Sequence, residues 1–223
     1  GTSPARPTYP FSVAPDTRVT VRALLRVLMD HYDGTEFDLT RGMSAGPFGM
    51  PIRYDGPGKN VTGGWERPIS MFRTMFSFVL QSNGARPDAL GGVAWYGQSS
   101  PHGSVYVPFS CAQELVPASY RMGRESAFST QSAWWAFDFV NNWSYLRYSI
   151  IRPDVQAEQR KWQALAFAHV ERVAREAANA TDLRAFVQQQ HNAFATQVVD
   201  AWWALAWKLV SKFSDGYVLV GEG

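Results

Sequence analysis

Residues 32–53 read YDGTEFDLTRGMSAGPFGMPIR. Acidic, small and glycine residues are mixed too irregularly here for a plain helix or strand. Gly42, Gly46 and Gly49 mark points where the backbone can turn or be approached closely, and Pro47 and Pro51 stiffen the loop between them. Working outward, residues 20–31 predict a helix: Val21, Leu24, Leu25 and Leu28 recur at helical spacing behind Thr20, a suitable cap. Ahead of that helix, Pro4, Pro7, Pro10 and Pro15 make residues 1–18 an extended arm.

Beyond the loop, the DGPG run at 55–58 predicts a turn. Residues 69–81, 92–96 and 104–109 are β-branched and aromatic and predict strands separated by Gly, Pro and Ser turns, with Asn83-Gly84 in one of them. The second half changes period. Residues 131–151 predict helical or mixed structure, interrupted at Arg152-Pro153. A helix over 155–178 would show Trp162, Leu165, His169, Val173 and Ala177 on one face. A second, over 181–214, would show Phe186, Val187, Phe194, Val198, Trp202, Leu205 and Leu209, with Gly216 ending it. Strands first and long helices later predict one α+β layer structure over 1–223, with no repeat and no domain boundary.

The composition excludes several functions. With 223 residues, 46% of them hydrophobic, the chain can bury one ordinary core. Its 21 basic and 19 acidic residues leave a charge of +2 with no basic run, so no nucleic-acid footprint is expected. The longest apolar stretches, such as 201–206, are too short to span a bilayer, and the polar, proline-rich residues 1–9 do not read as a signal peptide, as is also expected of a mature fragment. One cysteine rules out an internal disulfide framework. Three of the six asparagines, Asn60, Asn142 and Asn179, stand in Asn-x-Ser/Thr sequons, which points to a lysosomal, other lumenal or secreted glycoprotein, with the cytoplasm as the alternative.

Few residues offer chemistry. Cys111, in VPFSCAQELVP, has no glycine-rich elbow or adjacent histidine to lower its pKa and reads as a small buried hydrophobe. His31, His102, His169 and His191 lack metal-site spacing. His169 and His191 fall on long helices as solvated or core-edge residues, Ser99 and Ser100 read as turn residues, and His102 in SSPHGS merits inspection. No cofactor or metal is implied. Arginine suits a substrate carboxylate because its guanidinium fork matches two oxygens. Arg41 and Arg53 flank the glycine-rich loop and Arg67 and Arg73 flank a strand start, although for any one of them ordinary pairing with Glu36, Asp38, Asp55 or Glu66 is the commoner role.

Several segments in a fixed order give a further reading. PFSVAPDTRVTVRALLRVLMDHYDGTEFDLT (10–40), the loop at 32–53, GGVAWYGQSSPHGSVYVPF (91–109), SAWWAFDFVNNWS (132–144) and LVSKFSDGYV (209–218) together resemble the carboxy-terminal half of the secernin-related dipeptidases, N-terminal-nucleophile cysteine peptidases. The resemblance implies an αββα sandwich in which a cysteine at residue one of a mature chain attacks an amide and its own α-amino group acts as base. It implies no need for a histidine. This chain opens Gly1-Thr2-Ser3 and aligns only from the family's middle onward, so the nucleophile and most oxyanion donors are expected on a preceding segment, as in a processed two-chain enzyme. The resemblance further implies that an arginine of this half reaches the nucleophile, Arg67 first and Arg73 second, and that Arg41, Gly46 and Arg53 border the cleft for a dipeptide. A non-catalytic scaffold or assembly subunit, including a homo-oligomer, is the alternative.

Overall fold

The computed structural model describes residues 10–53 and 67–218. Helix α1 (Val21–Leu28) forms as the leucine spacing requires, and the Thr20 hydroxyl accepts from the Ala23 amide at 3.2 Å. The glycine-rich segment then folds through tight turns over Met43–Phe48. Gly49 ends them at φ 56°, where an added Cβ would stand 2.9 Å from the Thr40 carbonyl oxygen, so the position needs glycine on both counts. The DGPG turn lies outside the described residues.

The sheet is antiparallel, in the order β1 (Phe76–Ser82), β2 (Gly92–Gln98), β3 (Val107–Ser110), with the short helix α2 (Asp88–Gly91) between the first two strands. Phe78 lies opposite Tyr96, and Trp95 opposite Pro108. β1 starts seven residues later than the sequence predicts. The preceding backbone is drawn elsewhere: the Ser70 amide donates to Asp30 O at 3.0 Å, and the Met71 carbonyl accepts from Ser100 Oγ.

Side-chain alternation gives this sheet two unlike faces. Val79, Val93 and Trp95 are buried, and Trp95 meets Phe167 with ring centroids 4.5 Å apart. On the opposite face, Phe109 of β3 packs on Tyr120 of α3 (Ala118–Arg121), but Phe76, Phe78 and Leu80 of β1 stay 51%, 50% and 67% exposed. Among the described residues β1 pairs only with β2.

Three helices build the remaining layer: α4 (Ala133–Tyr145), α5 (Tyr148–Glu176) and α6 (Leu183–Lys212). The helix start expected after Arg152-Pro153 is displaced. α5 begins at Tyr148 and carries Pro153 inside it, close enough to the N-terminus that few backbone bonds are at stake. Ser132 and Asp182 cap α4 and α6. The α6 face Val187, Phe194, Val198, Trp202, Leu205 and Leu209 is buried as its spacing predicts, and Trp202 meets Phe137 of α4 at 4.9 Å. On α5 the buried stripe runs through Ile151, Val155, Ala166, Val170 and Val173, whereas Leu165 stays exposed.

Candidate functional site

The connection between β2 and β3 is polar yet wholly buried, so its hydrogen bonds must be met internally. Ser99 takes a left-handed backbone at φ 58°, rare for a residue with a Cβ and held by its surroundings. Its hydroxyl donates to Asp138 Oδ1 at 2.9 Å, while Asn141 Nδ2 of α4 reaches Ser99 Oγ (3.2 Å) and Ser100 O (3.3 Å). Ser70 Oγ and Ser100 Oγ each lie 3.0 Å from His102 Nδ1, and Tyr145 Oη lies 3.3 Å from His102 Nε2. Gln159 of α5 donates to Ser104 O at 2.6 Å. Ser99 and Ser100 therefore do more than make a turn.

This network meets the base of the glycine-rich segment. The rings of His31 and His102 lie 4.8 Å apart, and Ile52 packs with Tyr145 and Tyr148. Burial, then the charge of Arg152, lowers the His31 pKa to about 4. Burial, with the repulsion of His31 and Arg152, holds His102 well below the usual histidine range. Both rings are neutral at pH 7. Burial raises Asp138 even though Ser99 and Asn142 donate to it, and raises Tyr148 against the opposing pull of Arg152.

Of the predicted substrate residues, Arg41 and Arg53 line one hollow and Gly46 does not. A hollow of about 270 Å³ is lined by Glu36, Asp38, Arg41, Met43, Ser44 and Arg53, with Gly42 at its wall. Gly46, close by in sequence, is exposed, and a Cβ added to it would meet only open space. Arg41 Nε pairs with Asp38 Oδ2 at 3.2 Å, and Asp38 is held below its ordinary pKa first by the Thr40 hydroxyl and then by the Gly34 amide. Arg53 Nη1 donates to Met50 O at 3.1 Å and Nη2 to Leu39 O at 3.3 Å, so this guanidinium laces the loop to itself. A second hollow, of about 310 Å³, is lined by Tyr32, Phe37, Leu39 and Arg67. The Tyr32 hydroxyl donates to Arg67 O at 2.9 Å. Arg73 is exposed and lines neither hollow.

The other candidates disperse. Cys111 follows β3 and is exposed rather than buried as expected; its amide donates to Gly92 O at 3.0 Å, and none of the described histidines hydrogen-bonds its thiol. His169 and His191 are buried, contrary to a solvated role, because they pair across α5 and α6 with Nε2 and Nδ1 3.1 Å apart. Asn142 is exposed on α4 and donates to Asp138 Oδ2 at 2.7 Å, Asn179 is exposed in the turn before α6, and Asn60 lies outside the described residues. Among the described residues no group of three or more metal-ligating side chains gathers, and no helix is long and apolar enough to cross a membrane. Arg152, the buried guanidinium of the floor, carries no sequence signal beyond its place before a proline.

Known proteins give the setting. The model of peptidase family C69 matches residues 2–161, a range that holds the glycine-rich segment, the sheet and the buried loop. A probable dipeptidase of Salmonella dublin is 33% identical over 102 residues, 46% of this chain and 20% of that protein. A probable dipeptidase of Latilactobacillus sakei is 26% identical over 206 residues, 91% of this chain and 40% of that protein. The chain thus spans two-fifths or less of the length of these relatives.

Proposed function

The chain belongs to peptidase family C69, and from that membership we propose that it is the non-nucleophile part of a processed cysteine dipeptidase. The uncovered apolar face of β1 carries the reading. Phe76, Phe78 and Leu80 form the side of a sheet that ends at an edge with no further strand among the described residues, as half of a two-sheet αββα sandwich would. The nucleophilic cysteine would enter on a preceding segment or partner chain. Its thiolate would attack the peptide carbonyl and expel the amine, and water would cleave the resulting thioester. Arg41, Gly46 and Arg53 at the smaller hollow would border the dipeptide, and Arg67 at the larger one would approach the nucleophile ahead of Arg73. Holding the peptide ends there would orient the scissile bond. The exposed sequon at Asn179 supports a lumenal or secreted setting.

The engagement of Arg53 with Met50 and Leu39 carbonyls favours a second reading, a scaffold or assembly subunit that keeps the fold without the activity. Intact mass and amino-terminal sequencing of the natively purified protein, followed by dipeptide assays, separate the two. A co-purifying chain that begins with cysteine, together with dipeptide hydrolysis, is the expected result. A chain isolated alone, or a partner without that residue, overturns the dipeptidase reading.

A further inference from the structure

Arg152 sits in the second turn of α5 with 9% of its surface exposed. Its Nη2 donates to the neutral Gln159 Oε1 at a long 3.3 Å. Nε and Nη1 are shut off from water and have no hydrogen-bond partner among the described residues. No described carboxylate forms an ion pair with it. The groups that surround it are neutral: the His31 and His102 rings, whose protonation it opposes, the Tyr145 hydroxyl, and the Tyr148 hydroxyl, which is itself in hydrogen-bonding contact with the guanidinium. Asp33 acts on it electrostatically but is an exposed residue and forms no ion pair with it. A buried guanidinium is stable only when its charge is met, and leaving it without an anion is among the costliest arrangements in a core.

We infer that Arg152 binds a carboxylate, recognised by the Nε and Nη1 donors with the Tyr145 and Tyr148 hydroxyls beside them. A single negative charge matches the single positive charge of a site whose other groups are neutral, and a planar carboxylate fits guanidinium geometry. A phosphate dianion would leave one charge unmet. Two sources share this chemistry: the free carboxyl terminus of a small peptide, or an acidic side chain from the part of the protein that these residues do not include. The inference stands apart from the dipeptidase reading, which supplies only the first source.

Thermal melting of the full protein as isolated tests it, with acetate and glycylglycine as probes, acetamide and glycylglycine amide as neutral controls, and inorganic phosphate as the competing anion. Carboxylates near tenfold above their dissociation constant are expected to raise the melting temperature by about 2–4 °C, and the amides are not. Arg152→Met should abolish that shift and melt no lower than the unliganded wild type, because it removes an unpaired buried charge. Arg152→Lys, which keeps the charge without the fork, should weaken the shift and guards against a misfolded methionine variant. If the carboxylate comes from the protein itself, the probes have no effect, and Arg152→Met melts several degrees lower in the complete protein. Probes and variants that all leave melting unchanged, or a phosphate shift larger than the carboxylate shift, overturn the inference. Dipeptide hydrolysis, followed in parallel, reports on the enzymatic reading separately.

Discussion

Gly103 occupies the turn beside His102, and a Cβ there would collide with Asn141 Oδ1. Asn141 holds both Ser99 and Ser100, so Gly103→Ala would push against the centre of the buried network. We expect it to lower unfolding stability by about 2–4 kcal/mol in urea denaturation. A loss under about 0.5 kcal/mol would mean that the loop yields easily. At this scale the sequence pointed to His102 through its Ser and Gly neighbours, and that histidine is indeed a hub. Arg152 stayed hidden because an arginine before proline reads as surface by default, and its burial depends on Gln159, Tyr148 and loop 99–104 folding around it. The His169–His191 pair was equally illegible, since nothing in either helix announces a partner on the other.

Among the elements, β1 shows both the reach and the limit of pattern reading. Its alternation of Phe76, Phe78 and Leu80 against Val79 marks a strand, but residues 69–75 carry similar apolar content without joining the sheet. Their backbone bonds to Asp30 and Ser100 settle the matter, and such long-range partners leave no local trace. Leu80→Lys tests the proposal that this face is covered in the proposed two-part protein. On this chain alone the change should alter stability by less than about 0.5 kcal/mol, because the side chain is 67% exposed. In the complete protein it should weaken association of the two parts by about tenfold or more, read by analytical ultracentrifugation. Equal association with and without the lysine would show that nothing seals this face. α6 was legible as a helix from end to end, whereas α5 was legible only from residue 155 onward, because its first turns precede Pro153 and read as a break.

For the whole molecule, pH acts through histidines on both sides of the core. His31 and His191 are lowered to about 4 and His169 to about 3, each chiefly by burial. Unfolded, all three take up protons near pH 6.5, so the unfolded state binds more protons between 6.5 and about 4. Stability is therefore whole above pH 6.5 and falls as pH drops toward 4, with His31 alone accounting for about 3 kcal/mol by the lower end. Equilibrium denaturation at pH 7.5, 6, 5 and 4.5 should show that decline, and a flat profile would contradict neutral burial of these rings. The α+β class was readable from chain order, with strands before long helices, because period and turn residues are local signals. The same order has a consequence for biosynthesis. β3 ends at Ser110 and the last covering helix ends at Lys212, about 100 residues later. At ribosomal rates the strands wait about 5–20 s for the helix that buries Phe194, Trp202 and Leu209 against the rest of the core. Until then the apolar faces of the nascent sheet stand open to solvent, so the strands are made well before the surface that buries them.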